Sequence, residues 1–288
     1  MARLVRPRQA VKNLFCLAGV LFGPGRLRDE HAWLASLAVV AAFSFLSSAV
    51  YIANDIIDRE RDRLHPRKRH RPIASGVVSV PLASALALVL GCSALVGAWF
   101  IGPKVFTCLV LYLANNVAYS FWLKHMALFD VLCIAFGFVL RLLAGIYATD
   151  DLPTTWITLC TFFLTVFLGF AKRRAELNGI IPESELTQRP VLSKYSVQFL
   201  DYLVSSSSVM TVVCYALFSA SGGKNPSMVM TVPVVYFAVM HYKRLVLFLK
   251  FGEEPERILL KDVRLQVSIV LWLAIYFGVT YGDIHWFR

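Results

Sequence analysis

Asn54-Asp55-Ile56-Ile57-Asp58-Arg59-Glu60-Arg61-Asp62-Arg63-Leu64-His65-Pro66-Arg67-Lys68-Arg69-His70-Arg71-Pro72 stands between two uncharged apolar stretches, residues 32–53 and 81–102. A helix advances about 100° per residue, so Asn54, Asp58 and Asp62 share one face, with Asp55 at its margin. Such a face can hold a divalent cation. The bases that follow, Lys68, Arg69 and Arg71, can hold phosphate, and the two sets together are what a Mg²⁺-bound diphosphate requires. Positive loops alone would follow from membrane-insertion topology. The aspartates would not, because neighbouring carboxylates repel and topology gives no reason to set them at a membrane edge.

Working outward, 58% of the 288 residues are hydrophobic and 16% charged. With a mean hydropathy of +0.63, the chain reads as a polytopic membrane protein. Its net charge of +11 sits in short loops, which the positive-inside rule accounts for, and this argues against a nucleic-acid partner. Cys16, Cys92, Cys108, Cys133, Cys160 and Cys214 all lie in apolar stretches without a Cys-x-x-Cys pair. They read as packing residues, neither a zinc site nor a disulfide framework. The basic N-terminus resembles a signal peptide, but no small-residue cleavage site follows it, so the first apolar run is expected to be a retained span.

Apolar segments occur at 10–23, 32–53, 81–102, 105–123, 126–148, 152–171, 199–220, 226–242 and 265–281. The expected fold is therefore all-α, a bundle of about nine transmembrane helices in one domain over residues 1–288. The N-terminus, the loop after the second span, Lys124, the segment 172–194 and the segment 243–264 hold 23 of the 29 Lys and Arg residues. All of these fall on one side if the N-terminus is cytoplasmic.

A second charged cluster, Lys172-Arg173-Arg174-Ala175-Glu176, closes the sixth span. Lys172, Arg173 and Glu176 lie within one turn, so a base and an acid can face one site, although snorkelling bases at a helix end look the same. Lys124 can reach a phosphate or serve as an interfacial anchor. Asp130 and Arg141 lie in the fifth span, about 16 Å apart along the axis. A charge at the depth of Arg141 needs a polar cavity or a partner, either a ligand or an ion pair with another helix. The segment Gly252–Arg264 mixes signs and reads as a solvated cap whose acids can also accept from sugar hydroxyls.

The Asn-Asp-x-x-Asp-x-x-x-Asp pattern from Asn54, followed by Arg71-Pro72-Ile73-Ala74-Ser75-Gly76, resembles the first signature of the UbiA-type membrane prenyltransferase superfamily. Arg6-Pro7 and Lys12-Asn13 at the entrance to the first span extend the likeness. This resemblance implies a cytoplasm-facing active-site cavity in a bacterial plasma membrane, Mg²⁺, and a lipid tail leaving sideways between helices. Diphosphate-prenyl enzymes of this kind carry a second aspartate-rich motif after the sixth span, where this chain has Lys172-Arg173-Arg174-Ala175-Glu176-Leu177. That element resembles the decaprenyl-phosphate phosphoribosyltransferase branch, as do the Asp62–Pro72 extension and Gly252-Glu253-Glu254-Pro255-Glu256. In that branch the lipid is the phosphate acceptor, 5-phosphoribosyl diphosphate is the donor, and the product feeds cell-wall arabinan.

On this reading Asn54, Asp55, Asp58 and Asp62 ligate Mg²⁺. Asp58, Asp62 and Lys172 serve the chemistry, and Lys12, Asn13, Lys68, Arg69, Arg71, Lys124, Arg141, Arg173 and Glu176 bind substrates. A lipid phosphate is already ionised near neutral pH, so no general base is needed, in agreement with the lack of a Ser-His or Cys-His arrangement. Prenyl transfer from a polyprenyl diphosphate to a small acceptor is the alternative. A transporter fits less well, because charge gathers at one membrane edge and not at the midplane.

Overall fold

The computed structural model describes residues 4, 7–23, 25–65, 68–177, 190–221, 225–248 and 255–282. No strand occurs among them. The helices are α1 (Ala18–Phe22), α2 (Glu30–Ile57), α3 (Arg59–Arg63), α4 (Val80–Ile101), α5 (Pro103–Phe121), α6 (Phe129–Tyr147), α7 (Thr155–Ala175), α8 (Val197–Ser221), α9 (Val232–Leu247), α10 (Pro255–Lys261) and α11 (Val263–Tyr281). Among the described residues, α2, α4, α6, α7, α8 and α11 are long and apolar enough to cross a membrane.

The other three expected spans differ in a physically informative way. The first is a 3₁₀ segment, Pro7–Leu17, running into α1. A 3₁₀ helix rises about 2.0 Å per residue against about 1.5 Å for an α-helix, so these sixteen residues reach about 30 Å, the thickness of a bilayer core. The eighth uses the same device, with a 3₁₀ turn Pro226–Thr231 preceding α9. The fourth, α5, is long enough but is diluted by Lys104, Asn115 and Asn116.

Contacts group the chain into two compact units, residues 1–121 with 137–153, and residues 122–136 with 154–288. In the first, Val39, Phe43 and Leu46 of α2 meet Ala94 and Ala98 of α4, Leu109 and Tyr112 of α5, and Leu140 of α6. The alanines let backbones approach, as membrane helix pairs require, while the outer face of α4 keeps Leu88, Trp99 and Phe100 exposed. Asp29 caps α2 by accepting from the N–H groups of His31 and Ala32. Those amides, chiefly that of Ala32, hold its carboxyl below the usual range, with Arg26 adding to the effect. Arg26 also pairs with Asp151, Nε lying 3.1 Å from Oδ2. A second apolar group, Leu4, Ile52, Ile73, Val78 and Ala83, anchors the loop that follows α3.

In the second unit, Val166, Phe167 and Phe170 of α7 pack with Leu200 and Val204 of α8 and with Val239, Tyr242 and Val246 of α9. Asp262 caps α11 through the Leu265 N–H and also meets His241 Nε2 at 3.2 Å. Burial alone would raise the Asp262 carboxyl, but the Leu265 N–H and His241, with a smaller part from the Arg264 N–H, together hold the group low. All six cysteines are free, as the sequence implies. Arg6 and residues 252–254, which carried part of the family likeness, lie outside the described residues.

Candidate active site

The motif opens on the last turn of α2, and its geometry departs from the ideal projection at Asp58. That residue caps α2 with φ −86° and ψ 4°, and α3 starts afresh at Arg59. The backbone ladder carries through, the Asp58 N–H donating to Asn54 O at 2.9 Å and the Asp62 N–H to Asp58 O at 2.8 Å, while the three side chains take separate partners. Asn54 turns to α5 and accepts from Ser120 Oγ at 2.9 Å. The half-buried Asp58 carboxylate lies 3.8 Å from Arg61 Nη1. Asp55 and Asp62 come together instead, both buried, with Arg71 Nη1 2.9 Å from Asp55 Oδ1 and 2.7 Å from Asp62 Oδ2.

Among the described residues no three His, Cys, Asp or Glu side chains gather as a metal site. The Asp55–Asp62 pair nevertheless fits a hard divalent cation, which is commonly held by one or two carboxylates with water and substrate phosphate completing the shell. One positive group already bridges the two oxygens. The other bases precede Arg71 in the same loop. Arg69 is exposed on the short turn Lys68–His70, and its Nε lies 3.4 Å from His70 Nε2. The Lys68 N–H donates to Nδ1 of the buried His65 at 3.2 Å. An apolar groove of about 350 Å³ runs between α2, α4 and α5, past Leu46, Ala49, Leu95 and Leu113, with Asn54 and Ser120 at its motif end.

Arg141 is 4% exposed, and its partners differ from the expected ion pair. No carboxylate pairs with it among the described residues. Its guanidinium donates to Asn13 Oδ1 at 2.7 Å, Gly137 O at 2.9 Å and Tyr112 OH at 2.9 Å. The rings of Tyr112, Phe138 and Phe43 lie 4.6 to 5.6 Å from its Cζ. Asn13, expected to touch substrate, is fully buried and donates to Ser44 Oγ at 2.9 Å. It is the tether of Arg141. Lys12, its neighbour, is half-buried.

In the second unit the cluster closing α7 is neutralised from within. Arg173 Nε donates to Asp130 Oδ2 and Nη1 to Glu176 Oε2, each at 2.7 Å. All three side chains are buried. Asp130 also accepts from Tyr195 OH at 2.7 Å, and that hydroxyl accepts from the Leu128 N–H at 2.6 Å. Arg174 donates to Asp201 Oδ1 at 2.6 Å. Arg173 and Glu176, expected to face a ligand, therefore hold each other and the start of α6. A buried guanidinium in a membrane helix is stable only with such partners. Lys172 on α7 and Lys124, on a 3₁₀ turn Leu123–His125, are half-buried. Sequence reading missed Ser120, Tyr195 and Asp201 as partners. Only the position of Asp130 inside an apolar span signalled such a network.

The profile of the UbiA prenyltransferase family matches residues 13–254. The decaprenyl-phosphate phosphoribosyltransferase of Mycobacterium tuberculosis (strain ATCC 25618 / H37Rv) is 35% identical over 279 residues, which are 95% of this chain and 92% of that protein. The protein of the same name from Mycolicibacterium smegmatis is 34% identical over 296 residues, 96% of this chain and 93% of the relative. A UbiA homolog from Archaeoglobus fulgidus, solved bound to GPP and Mg²⁺, superposes with a TM-score of 0.73 at 21% identity, covering 96% of this chain and 98% of that one. This last likeness speaks for the fold.

Proposed function

This chain belongs to the UbiA prenyltransferase family, and from that premise we propose that it transfers the 5-phosphoribosyl group of 5-phosphoribosyl diphosphate to a polyprenyl phosphate, decaprenyl phosphate in the named relatives, for cell-wall arabinan. The observation that carries this reading is the identity of about a third with decaprenyl-phosphate phosphoribosyltransferases over nearly the whole chain. The residues at the end of α7 support it. Prenyl-diphosphate donors call for a second acid set there, whereas the acids at this position, Asp130 and Glu176, are occupied by Arg173. The reading treats residues 1–288 as one functional domain, in keeping with a family match that runs through both units.

Asp55 and Asp62 are the residues that would hold Mg²⁺, with Asn54 and Asp58 beside them. An ion held there would supply positive charge to offset that of the departing diphosphate. Lys68, Arg69 and Arg71 bind the donor phosphates. As the bond from C1 of the ribose to the diphosphate oxygen breaks, these bases stabilise the charge on the leaving group. An oxygen of the lipid phosphate then bonds to C1. That acceptor is already an anion, so no side chain has to remove a proton. The isoprenoid tail lies in the apolar groove that begins at Asn54 and Ser120, and the reacting groups face the cytoplasm.

Purified membranes containing the protein should consume 5-phosphoribosyl diphosphate only when a polyprenyl phosphate is supplied, yielding diphosphate and a lipid-linked phosphoribose. Efficient transfer of a prenyl group from a prenyl diphosphate, with no use of the ribose donor, would replace this reading with ordinary prenyl transfer.

A further inference from the structure

Arg71 holds the position that a cation would take. Its Nη1 lies 2.9 Å from Asp55 Oδ1 and 2.7 Å from Asp62 Oδ2, so one nitrogen sits between two buried carboxylate oxygens. Mg²⁺ contacts oxygen at about 2.0–2.1 Å and demands near-octahedral geometry. It cannot use those same oxygen lone pairs while an N–H points along each of them. Arg71 brings one positive charge to the two carboxylates, and a divalent cation brings two, at shorter range. That stronger attraction works against the cost of taking water from the ion, and the arginine is placed to leave. Its backbone is fixed, with the Arg71 N–H donating to Lys68 O at 2.9 Å and the Ser75 N–H donating to Arg71 O at 2.8 Å. The following Ile73 and Ala74 are buried. Its side chain, by contrast, is 31% exposed, and its Nε and Nη2 bond nothing among the described residues. The head can swing out without disturbing the loop.

We propose that Arg71 is an exchangeable counter-ion. It bridges Asp55 and Asp62 before metal binds, is displaced by the divalent cation, and then binds a phosphate group of the substrate that arrives with the metal. Metal loading and anion recognition become one event, because the guanidinium is released to phosphate only when the carboxylates have been taken over. This rests on the reading of Asp55 and Asp62 as metal ligands.

Direct binding of Mn²⁺, a spectroscopic stand-in for Mg²⁺, to the full-length protein in detergent provides the test, read by electron paramagnetic resonance without substrate. Arg71→Gln should bind Mn²⁺ at least about tenfold more tightly than wild type, because the competing cation is gone. Arg71→Lys, which keeps a competing charge, should stay within about threefold of wild type. Equal or weaker binding by Arg71→Gln overturns the exchange while leaving the metal site intact, whereas Mn²⁺ binding by neither protein overturns both. Should Arg71→Gln fail to fold, wild type alone decides. Mg²⁺ should raise the rate at which phenylglyoxal modifies Arg71 several-fold by mass spectrometry, and an unchanged or slower rate overturns the proposal.

Discussion

Arg141 carries its charge inside the first unit on neutral groups, which determines how it responds to substitution. A buried ion pair can often be replaced by apolar residues of similar volume at little loss, since both charges disappear together. Here the acceptors would stay behind. Arg141→Met leaves the Asn13 carbonyl and the Tyr112 hydroxyl without the donor they now meet at 2.7 and 2.9 Å. Each buried polar group left unsatisfied costs about 1–3 kcal/mol, so the expected outcome for two is a loss of about 2–6 kcal/mol, read as a lower thermal midpoint in detergent. Arg141→Lys should recover little of it, because a single ammonium cannot reproduce the planar fork that reaches three acceptors. If Arg141→Met keeps wild-type stability and loses only affinity for the lipid phosphate, the guanidinium is a ligand contact and the cage merely its resting place. Sequence could find this residue but not its partners, because Asn13 is 128 positions away and Tyr112 is 29. Neither spacing follows from a helical period.

Periodicity served well for the long apolar helices and failed at two kinds of element. It placed α2, α4 and α11 within a few residues, because a bilayer demands a continuous apolar run. It gave no sign that the helical dihedrals of α2 would lapse at Asp58, where no Gly or Pro marks the change. Nor did it reveal the 3₁₀ course of Pro7–Leu17. That course makes sense against α6, where the first unit is packed backbone to backbone. A Cβ added at Gly145 would run into the carbonyl oxygen of Cys16, and one at Gly19 would meet the backbone of Gly145. Gly145→Ala should therefore push the N-terminal segment off α6. Overpacking of this kind costs about 1–3 kcal/mol or more, and the same shift strains the Asn13–Arg141 bond one turn away. Gly97→Ala, which has nothing within 4 Å of its new Cβ, should be neutral or raise stability by up to about 1 kcal/mol through helix propensity alone. Thermal midpoints of the two variants, measured side by side, check this. Equal behaviour would mean that the contact at Gly145 is slack.

At the scale of the whole chain, hydropathy and charge made the class of molecule legible, while the charged clusters needed tertiary structure to read. Arg173 looked like a phosphate-binding base, yet it is held by Asp130 and Glu176, and its neighbour Arg174 by Asp201. Asp130 lies 43 positions before Arg173, so only folding could bring them together. The count of bases is the one long-range property that sequence alone supports, and it predicts orientation. With 23 of the 29 Lys and Arg residues in the N-terminal, 54–80, 124, 172–194 and 243–264 segments, those segments are expected on the cytoplasmic side. The proposed donor is a charged, water-soluble sugar phosphate that does not cross a bilayer unaided, so the Asp55–Asp62 pair must face the compartment that contains it. Two exposed positions of the first unit report the sidedness: Ser75 in the loop after α3, and Leu152 in the connection between α6 and α7. In a Cys92→Ser background, which removes the one native thiol that is exposed, Leu152→Cys should react with a membrane-impermeant maleimide on intact cells. Ser75→Cys should react only after the membrane is opened. The reverse pattern would put the carboxylate pair on the far side from the donor, and phosphoribosyl transfer by this chain would then be untenable.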